Sequence, residues 1–246
     1  MTVEHIATPH PDTESFSRRI RSFIRREGRL TVAQTRALNE LMPRFGLAAQ
    51  GPGLDPAEIF GRMAPLTLEI GFGNGESLLD MAQAAPEQDF IGIEVHRPGV
   101  GHLLLGIEQR GLTNIRVLND DAVPFIQQRI GSGQLDRLLL YFPDPWHKAR
   151  HHKRRIVQPE FATLIAERLK PEGMWHLATD WANYAEHMRA VLDAHPDFTA
   201  EHQGTGEAGR PAWRPETKFE RRGIRLGHQV FDLIYQRTLD QPQSPS

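Results

Sequence analysis

The chain has 246 residues, of which 39% are hydrophobic and 24% charged, enough for one sizeable core and short for two full domains. Its 29 basic and 31 acidic residues give a net charge of −2, which argues against wholesale electrostatic binding of nucleic acid but not against a local basic patch. The chain has no cysteine, which excludes disulfides, a thiolate nucleophile and cysteine-based zinc sites.

Residues 1–50 are predicted to form an arm and a helix. The first 15 or so residues are polar and contain prolines, so we expect a mobile start, and they lack the basic-then-apolar pattern of a signal peptide. No apolar run has the length of a membrane helix, so we expect a cytoplasmic protein without membrane contact. Thr31 and Gln34 have capping-box spacing before an apolar helix pattern. The arginines before that helix predict either a solvated face or a phosphate-contacting arm. They are Arg18, Arg19, Arg21, Arg25, Arg26 and Arg29.

A connector is predicted from Pro43 to Pro65, because this segment holds four prolines and four glycines. The stretch from Leu66 to Ser77 then predicts a strand, a tight turn and the start of a helix. The turn holds three glycines at alternate positions, Gly71, Gly73 and Gly75. They can adopt positive φ and let a ligand lie against bare backbone, although their spacing is one residue short of the dinucleotide fingerprint.

Glu69 lies two residues before the first glycine and bears on the kind of ligand. A carboxylate there disfavours a pyrophosphate, because like charges repel in a low-dielectric cleft, and it favours a cationic ligand such as S-adenosylmethionine. A structural turn with a solvated Glu69 is the alternative interpretation.

Strand and helix patterns alternate from residue 66 onward. The predicted strands are 66–70, 89–94, 114–118, 136–142 and 173–178, with two further candidates at 198–203 and 229–237. The predicted helices after the glycine turn are 99–110, a helix from 121 to about 130, 159–169 and 182–194. Such units predict an α/β domain over residues 51–240 with a doubly wound, mostly parallel sheet. Residues 241–246 are expected to be a flexible tail.

Each of the first four strands brings an acid to the edge where an open α/β sheet binds ligands. These acids are Glu69, Glu94, Asp121 and Asp144. A carboxylate ending the second strand is typical of a ribose site, and one after the third suits the amino group of adenine. Each acid alone could be a surface or capping residue, and Asp121 in particular could cap the next helix. Together they indicate an adenosine ligand with its cationic end near Glu69.

The segment Phe142-Pro-Asp-Pro-Trp-His-Lys148 holds Asp144 between two prolines after a buried strand. A rigid acid beside an aromatic ring suits a planar base. The cations that follow, with no acid among them, predict a phosphate-binding patch in preference to a solvated loop. They are Lys148, Arg150, Lys153, Arg154 and Arg155. Asp180 ends the fifth strand, where it could also cap the next helix, and Thr217-Lys-Phe-Glu220 has the spacing of a polar turn.

Over roughly residues 60–238 these motifs resemble those of the bacterial tRNA (guanine-N7)-methyltransferases. The shared motifs are the glycine turn, Ile91-Gly-Ile-Glu94, Asp121-Ala, the Asp144 segment with its basic run, Ala178-Thr-Asp-Trp181 and Thr217-Lys-Phe-Glu220. The resemblance implies a seven-stranded, Rossmann-like class I methyltransferase domain at residues 51–240 and S-adenosylmethionine as donor, with S-adenosylhomocysteine as product. It implies methyl transfer to N7 of a guanine in the tRNA variable loop, at position 46 in tRNA numbering.

The resemblance also implies roles for individual residues. Glu69, Glu94, Asp121 and Asp144 fall at cofactor positions beside the three glycines, and Asp144 is also catalytic. The implied substrate positions are Lys148, Asp180, Thr217, Lys218, Phe219 and Glu220. From charge density alone, the RNA backbone contacts are assigned to Arg150, Lys153, Arg154 and Arg155. The partner is tRNA, and we expect no metal and no obligatory protein partner.

Two other interpretations compete with this one. An NAD-dependent oxidoreductase would use a similar sheet, but the shortened glycine spacing and Glu69 disfavour it. An RNA-binding protein with an inactive cofactor fold is disfavoured by the intact acids at the strand ends.

Overall fold

The computed structural model describes residues 23, 28–216, 220, 227 and 229–238. Its seven strands are β1 Leu66–Ile70, β2 Asp89–Ile93, β3 Ile115–Leu118, β4 Leu135–Tyr141, β5 Leu169–Thr179, β6 Phe198–Thr205 and β7 Phe231–Arg237. They form one sheet in the order β3-β2-β1-β4-β5-β7-β6. The pairs from β3 to β5 are parallel, and β7 runs antiparallel between β5 and β6. The predicted doubly wound, mostly parallel, seven-stranded sheet is confirmed.

Helices cover both faces of this sheet. They are α1 Val32–Glu40, α2 Met42–Phe45, α3 Pro56–Phe60, α4 Glu76–Ala84, α5 Arg97–Arg110, α6 Ala122–Arg129, α7 Pro159–Arg168, α8 Ala182–Asp193 and α9 Gly206–Gly209. Successive residues of β4 alternate between two cores. Leu138 and Leu140 join the core under α6, α7 and α8, whereas Leu139 and Tyr141 join the core under α1, α4 and α5. This alternation follows from the two-residue period of a strand that is buried on both faces.

The predicted connector from Pro43 to Pro65 is wrong in part, because it overlaps α2 and contains α3. Both helices have a proline in their first turn, where a missing N–H leaves no intrahelical hydrogen bond unmade. The Asp55 side chain caps α3 by accepting a hydrogen bond from the Ala57 N–H at 2.8 Å. The prolines here start helices instead of interrupting them.

The capping box predicted before α1 is confirmed. Thr31 Oγ1 accepts a hydrogen bond from the Gln34 N–H at 3.2 Å, and Gln34 Oε1 accepts one from the Thr31 N–H at 2.9 Å. Ala37 of α1 lies in the same core as Leu103 of α5, so this helix packs directly on the sheet domain. The predicted arm, five of the six arginines that precede α1, and the predicted tail lie outside the described residues. Within the described part of the chain, no helix is long and apolar enough to span a membrane.

Candidate active site

A cavity of about 710 Å³ opens at the carboxyl ends of β1 to β4. Its size falls within the roughly 300–1,000 Å³ of small-molecule sites, and it lies where the strand order reverses between β1 and β4. Glu94, Asp121 and Asp144 contribute to its wall. The structure therefore brings together three of the four acids that the sequence places at this edge. Glu69 is buried and does not line the cavity, although Ile70 and Gly71, which follow it in the chain, do.

The glycine turn has the backbone that its sequence predicts. Gly71, Gly73 and Gly75 have φ angles of 75°, 61° and 77°, all in the left-handed region. A Cβ at Gly71 would meet no atom within 4 Å, so this part of the turn faces open space. By contrast, a Cβ at Gly99 of α5 would lie 2.0 Å from the Gly73 oxygen. The start of α5 thus packs tightly against the turn and leaves the cavity side of the turn bare.

Backbone amides hold the Glu94 carboxylate in place. Oε2 accepts a hydrogen bond from the Gly73 N–H at 2.9 Å, and Oε1 accepts from the N–H groups of Val95 at 2.7 Å and His96 at 2.9 Å. A carboxylate has about four lone-pair sites, so capacity remains for a ligand hydroxyl. The arrangement presents a preorganised acceptor at the end of β2.

Glu69 is a buried acid without a full set of partners. Its side chain is 3% exposed, and among the described residues its Oε2 has no hydrogen-bond partner. Burial, together with the nearby charge of Glu94, raises the pKa of Glu69 to about 8. An unpaired buried acceptor is unfavourable, so this group fits a cationic ligand that supplies the missing donor. The ammonium group of S-adenosylmethionine has that chemistry.

Asp121 both caps a helix and faces the cavity. Its Oδ1 accepts a hydrogen bond from the Val123 N–H at 3.1 Å, so the capping role that the sequence left open is present at the start of α6. Because Asp121 also lines the cavity wall, its cap geometry fixes where this acid stands relative to a ligand.

The segment Pro143-Asp-Pro145 lies between two aromatic residues with left-handed backbone. Phe142 has φ 51° and Trp146 has φ 49°. A bulky residue seldom adopts this conformation, and each instance costs about 1–3 kcal/mol. The Phe142 N–H donates to the Ala178 oxygen at 2.7 Å, which ties the start of the segment to β5. The two prolines predict a stiff segment, but nothing in the sequence indicates the strain on either side of it.

The basic run forms a 3₁₀ helix, Ala149–Arg154, which the sequence analysis did not predict. Arg150 and Lys153 are exposed on this helix, and Lys148 is exposed at its N-cap. The Arg154 guanidinium lies over the Trp146 ring with 4.3 Å between Cζ and the ring centroid. Partial burial and these surrounding cations lower the pKa of His151. The segment therefore presents concentrated positive charge beside the cavity.

Arg155 does not belong to this exposed set, and its burial disfavours the predicted phosphate contact. The residue is 2% exposed, and its guanidinium donates to the Pro145 oxygen at 3.0 Å and to Asn183 Oδ1 at 2.7 Å. A run of cations has no hydrophobic periodicity, so the sequence does not indicate which of its side chains is buried.

The other predicted substrate positions, Asp180 and residues 217–220, lie outside the basic run. Asp180 is half-buried after β5, and the N-cap of α8 is Trp181. Glu220 is buried, and the Arg214 guanidinium donates to both of its carboxylate oxygens, at 2.6 and 2.8 Å. Both carboxylate oxygens of Glu220 are therefore engaged by Arg214 in this arrangement. Thr217, Lys218 and Phe219 lie outside the described residues.

A buried polar chain links Glu220 to the cavity, and sequence reasoning missed it. Tyr141, which lines the cavity, donates its O–H to His176 Nδ1 at 2.9 Å, and His176 Nε2–H donates to Asp232 Oδ1 at 2.8 Å. Asp232 also accepts from Arg214 at 2.7 and 2.9 Å. The only sequence signal is a polar residue at a buried position of β5 and of β7.

Comparison with known proteins comes from a family model and from individual relatives. A family model described as "Putative methyltransferase" matches residues 63–233. The protein named "tRNA (guanine-N(7)-)-methyltransferase" of Alcanivorax borkumensis is 55% identical over 92% of this chain and 95% of its own length. The proteins of the same name from Pseudomonas syringae pv. syringae and Methylococcus capsulatus are 51% and 55% identical. These matches cover 96% and 90% of this chain, and 99% and 95% of the relatives.

Solved structures with the same fold are much more distant in sequence. The 16S rRNA methyltransferase KamB superimposes with a TM-score of 0.54 at 15% identity, over 77% of this chain and 96% of its own. An antibiotic-related methyltransferase gives 0.53 at 14% identity, over 76% and 97%. At such identities the likeness concerns the fold alone, which is that of the class I methyltransferases.

Proposed function

Because the chain belongs to the tRNA (guanine-N7)-methyltransferase family, we propose that it transfers the methyl group of S-adenosylmethionine to N7 of a guanine in tRNA. We place the target guanine in the variable loop, at position 46 in tRNA numbering. The observation that carries the proposal is a preorganised set of acids around one cavity, in a chain about half identical to enzymes of that name along nearly its whole length. We propose that it acts in the cytoplasm.

Three acids are proposed to hold the donor. Glu69 would bind its ammonium group, since a buried acceptor lacks a partner there. Glu94 would bind the ribose hydroxyls, because backbone amides already fix its carboxylate. Asp121 would accept from the adenine amino group, from its position at the start of α6. The donor, once bound, supplies an electrophilic methyl group on a sulfonium.

The reaction requires little proton transfer from the protein. Guanine N7 has a free lone pair and carries no proton, so attack on the methyl group needs no obligatory base. Positive charge moves onto the guanine ring as the bond forms. We propose that Asp144 stabilises that charge from a segment that is already rigid, which makes its interaction stronger in the transition state than in the ground state. Alignment of the base with the methyl group supplies much of the remaining acceleration.

The exposed cations next to Asp144 are proposed to bind the RNA backbone. Lys148, Arg150 and Lys153 are exposed, and Arg154 is held on the Trp146 ring. Asp180 is proposed to contact the target nucleoside, and residues 217–219 remain part of the proposed substrate site. The concentration of these four cations beside one cavity explains how a protein of net charge −2 can bind a polyanion.

Methyl transfer to bulk tRNA tests the proposal. Protein, labelled donor and tRNA are incubated, the RNA is digested, and the nucleosides are separated. We expect label in 7-methylguanosine, and none when the tRNA carries another base at position 46. Label at a different atom, or equal label in the altered tRNA, would show that the assigned reaction or position is wrong. Transfer of hydride from a nicotinamide cofactor would support the oxidoreductase alternative instead.

A further inference from the structure

Arg155 is a buried cation that the proposed reaction leaves without a role. It is 2% exposed, and among the described residues it forms no ion pair with a carboxylate. Burial lowers the pKa of its guanidinium. Removing a charge from water without a counter-ion is unfavourable. The contacts that the Arg155 guanidinium does make therefore need an explanation.

Those contacts join two separate parts of the candidate active site. Arg155 Nε donates to the Pro145 oxygen at 3.0 Å, and Nη2 donates to Asn183 Oδ1 at 2.7 Å. The guanidinium lies over the Tyr184 ring, with 4.7 Å between Cζ and the ring centroid. Pro145 directly follows Asp144, and Asn183 lies in the first turn of α8, three residues after Asp180. The Arg155 side chain therefore connects the backbone that follows Asp144 to the Asn183 side chain in the first turn of α8.

The Asp144 segment needs such a brace because its own conformation is strained. Its two flanking residues have positive φ, and strained residues persist only where the surrounding structure over-determines them. The Phe142 N–H is tied to β5, which holds the first end of the segment. At the other end, the Pro145 oxygen is held by Arg155 alone among the hydrogen bonds between described residues.

We propose that Arg155 is a positioning residue for methyl transfer, which ties the Pro143-Asp-Pro145 backbone to the start of α8 and so sets the position of the Asp144 carboxylate relative to Asp180. This inference rests on the proposed function. The role requires arginine, because the planar fork directs Nε and Nη2 to two acceptors at once while its face stacks on an aromatic ring. A lysine at this position would keep the charge but could not donate to both acceptors in this geometry.

Two substitutions test the proposal against a matched control. Arg155→Lys keeps the charge and loses the fork, and Asn183→Ala removes only the anchor on α8. The control is Arg129→Lys, because Arg129 is also buried and donates to two backbone oxygens, those of Ala48 and Gln50, both at 2.6 Å. Arg129 ends α6 and does not line the cavity.

The measurements are the single-turnover rate of 7-methylguanosine formation, the affinities for S-adenosylhomocysteine and tRNA, and the melting temperature. We expect Arg155→Lys to slow the rate by roughly ten- to a hundredfold, since a small misplacement of a reacting group has effects of that size, with both affinities near wild type. Asn183→Ala should slow it less, and the double variant should be no slower than Arg155→Lys. Arg129→Lys should melt earlier and react at the wild-type rate.

A purely structural Arg155 would give the opposite pattern. Arg155→Lys would then melt earlier, as Arg129→Lys does, and react at the wild-type rate well below its melting temperature, which overturns the proposal. If Arg155→Lys does not fold, Asn183→Ala decides, because a wild-type rate in that variant also overturns it. A wild-type protein that forms no 7-methylguanosine would overturn the proposed function, so the two failures are distinguishable.

Discussion

At the scale of single residues, the buried carboxyl group of Glu69 predicts that donor binding depends on pH. In the ligand-free protein its pKa is about 8, and an ammonium partner would stabilise the ionised form. Binding at pH 6 to 7.5 should therefore release a proton, and the affinity for S-adenosylhomocysteine should rise with pH by at most about tenfold per unit. The ligand's amino group, which lies beside a free carboxylate as in an amino acid, is more basic than a chain N-terminus and stays mostly charged in this window.

Isothermal titration in buffers of different ionisation enthalpy measures this proton release. Glu69→Gln removes the titrating group and should bind with a flat pH profile over the same range. A wild-type profile that is equally flat would mean that Glu69 does not meet the ammonium group.

Asp144→Asn should slow turnover by on the order of a hundredfold, the size of effect seen when one preorganised electrostatic group is lost. The substitution keeps the shape of the side chain and removes its charge, so the melting temperature and tRNA affinity should hardly change. Single-turnover methylation and thermal melting of the same preparation measure both. If the variant instead loses stability and reacts at a normal rate, Asp144 supports the segment and takes no part in the reaction.

Some residue-scale features follow from the sequence and others do not. The glycine conformations and the convergence of Glu94, Asp121 and Asp144 are predictable, because parallel strands end at one edge of a sheet. The left-handed backbone at Phe142 is not predictable, since it depends on tertiary contacts that outweigh local preference.

At the scale of elements, the 3₁₀ helix Ala149–Arg154 predicts how tRNA binding responds to salt. Replacing Arg150 and Lys153 by glutamine removes two exposed charges. The slope of log affinity against log salt concentration should flatten by about 1.4–1.8, because each phosphate contact contributes about 0.7–0.9. Affinity for S-adenosylhomocysteine should not change. Titrations of tRNA at several salt concentrations give the slope.

A matched control removes two arginines elsewhere, Arg36 on α1 and Arg110 on α5, which form ion pairs with acids. That variant should keep the wild-type slope. Equal flattening in both variants would indicate a nonspecific effect of net charge, and no flattening in the first would exclude the 3₁₀ helix as a docking surface.

Long, periodic elements were predictable from their patterns, and short ones were not. The strand β4 is predicted to within one residue at each end, because a run of large apolar residues marks a strand buried on both faces. The short helices α2 and α3 were missed, since they have one turn each and hold prolines that also mark connectors.

At the scale of the whole molecule, the buried polar chain of hydrogen bonds that links Tyr141 to Glu220 predicts a large contribution of Arg214 to stability. Arg214→Met would leave the buried carboxylates of Asp232 and Glu220 without their shared cation. The free energy of unfolding should fall by about 3–5 kcal/mol, as when one partner of a buried ion pair is removed. Urea denaturation measures it. Arg210→Met serves as the control, because Arg210 is more exposed and its Nη1 lies 3.5 Å from Glu220 Oε1. An equal loss of unfolding free energy in both variants would argue against the role of Arg214 as the cation shared by the two buried carboxylates.

This polar chain also marks the limit of sequence-based prediction for the whole fold. The sheet follows from alternating strand and helix patterns, but His176 and Asp232 meet only because β5 and β7 are neighbours. No local periodicity indicates that two strands more than fifty residues apart will pair.

The strand order also sets a sequence of events during synthesis. A ribosome makes β6 before β7, yet β7 lies between β5 and β6 in the finished sheet. Until Phe231–Arg237 has left the exit tunnel, β6 has no neighbour in the sheet, and the carboxylate of Asp232 that Arg214 and His176 share is absent. The parallel strands can assemble while translation continues, but the hydrogen-bonded chain behind Tyr141 is completed only when Asp232 of the last strand meets His176. A nascent chain arrested before residue 231 would therefore expose the β5 edge, and Arg214 would have Glu220 but not Asp232 as its carboxylate partner.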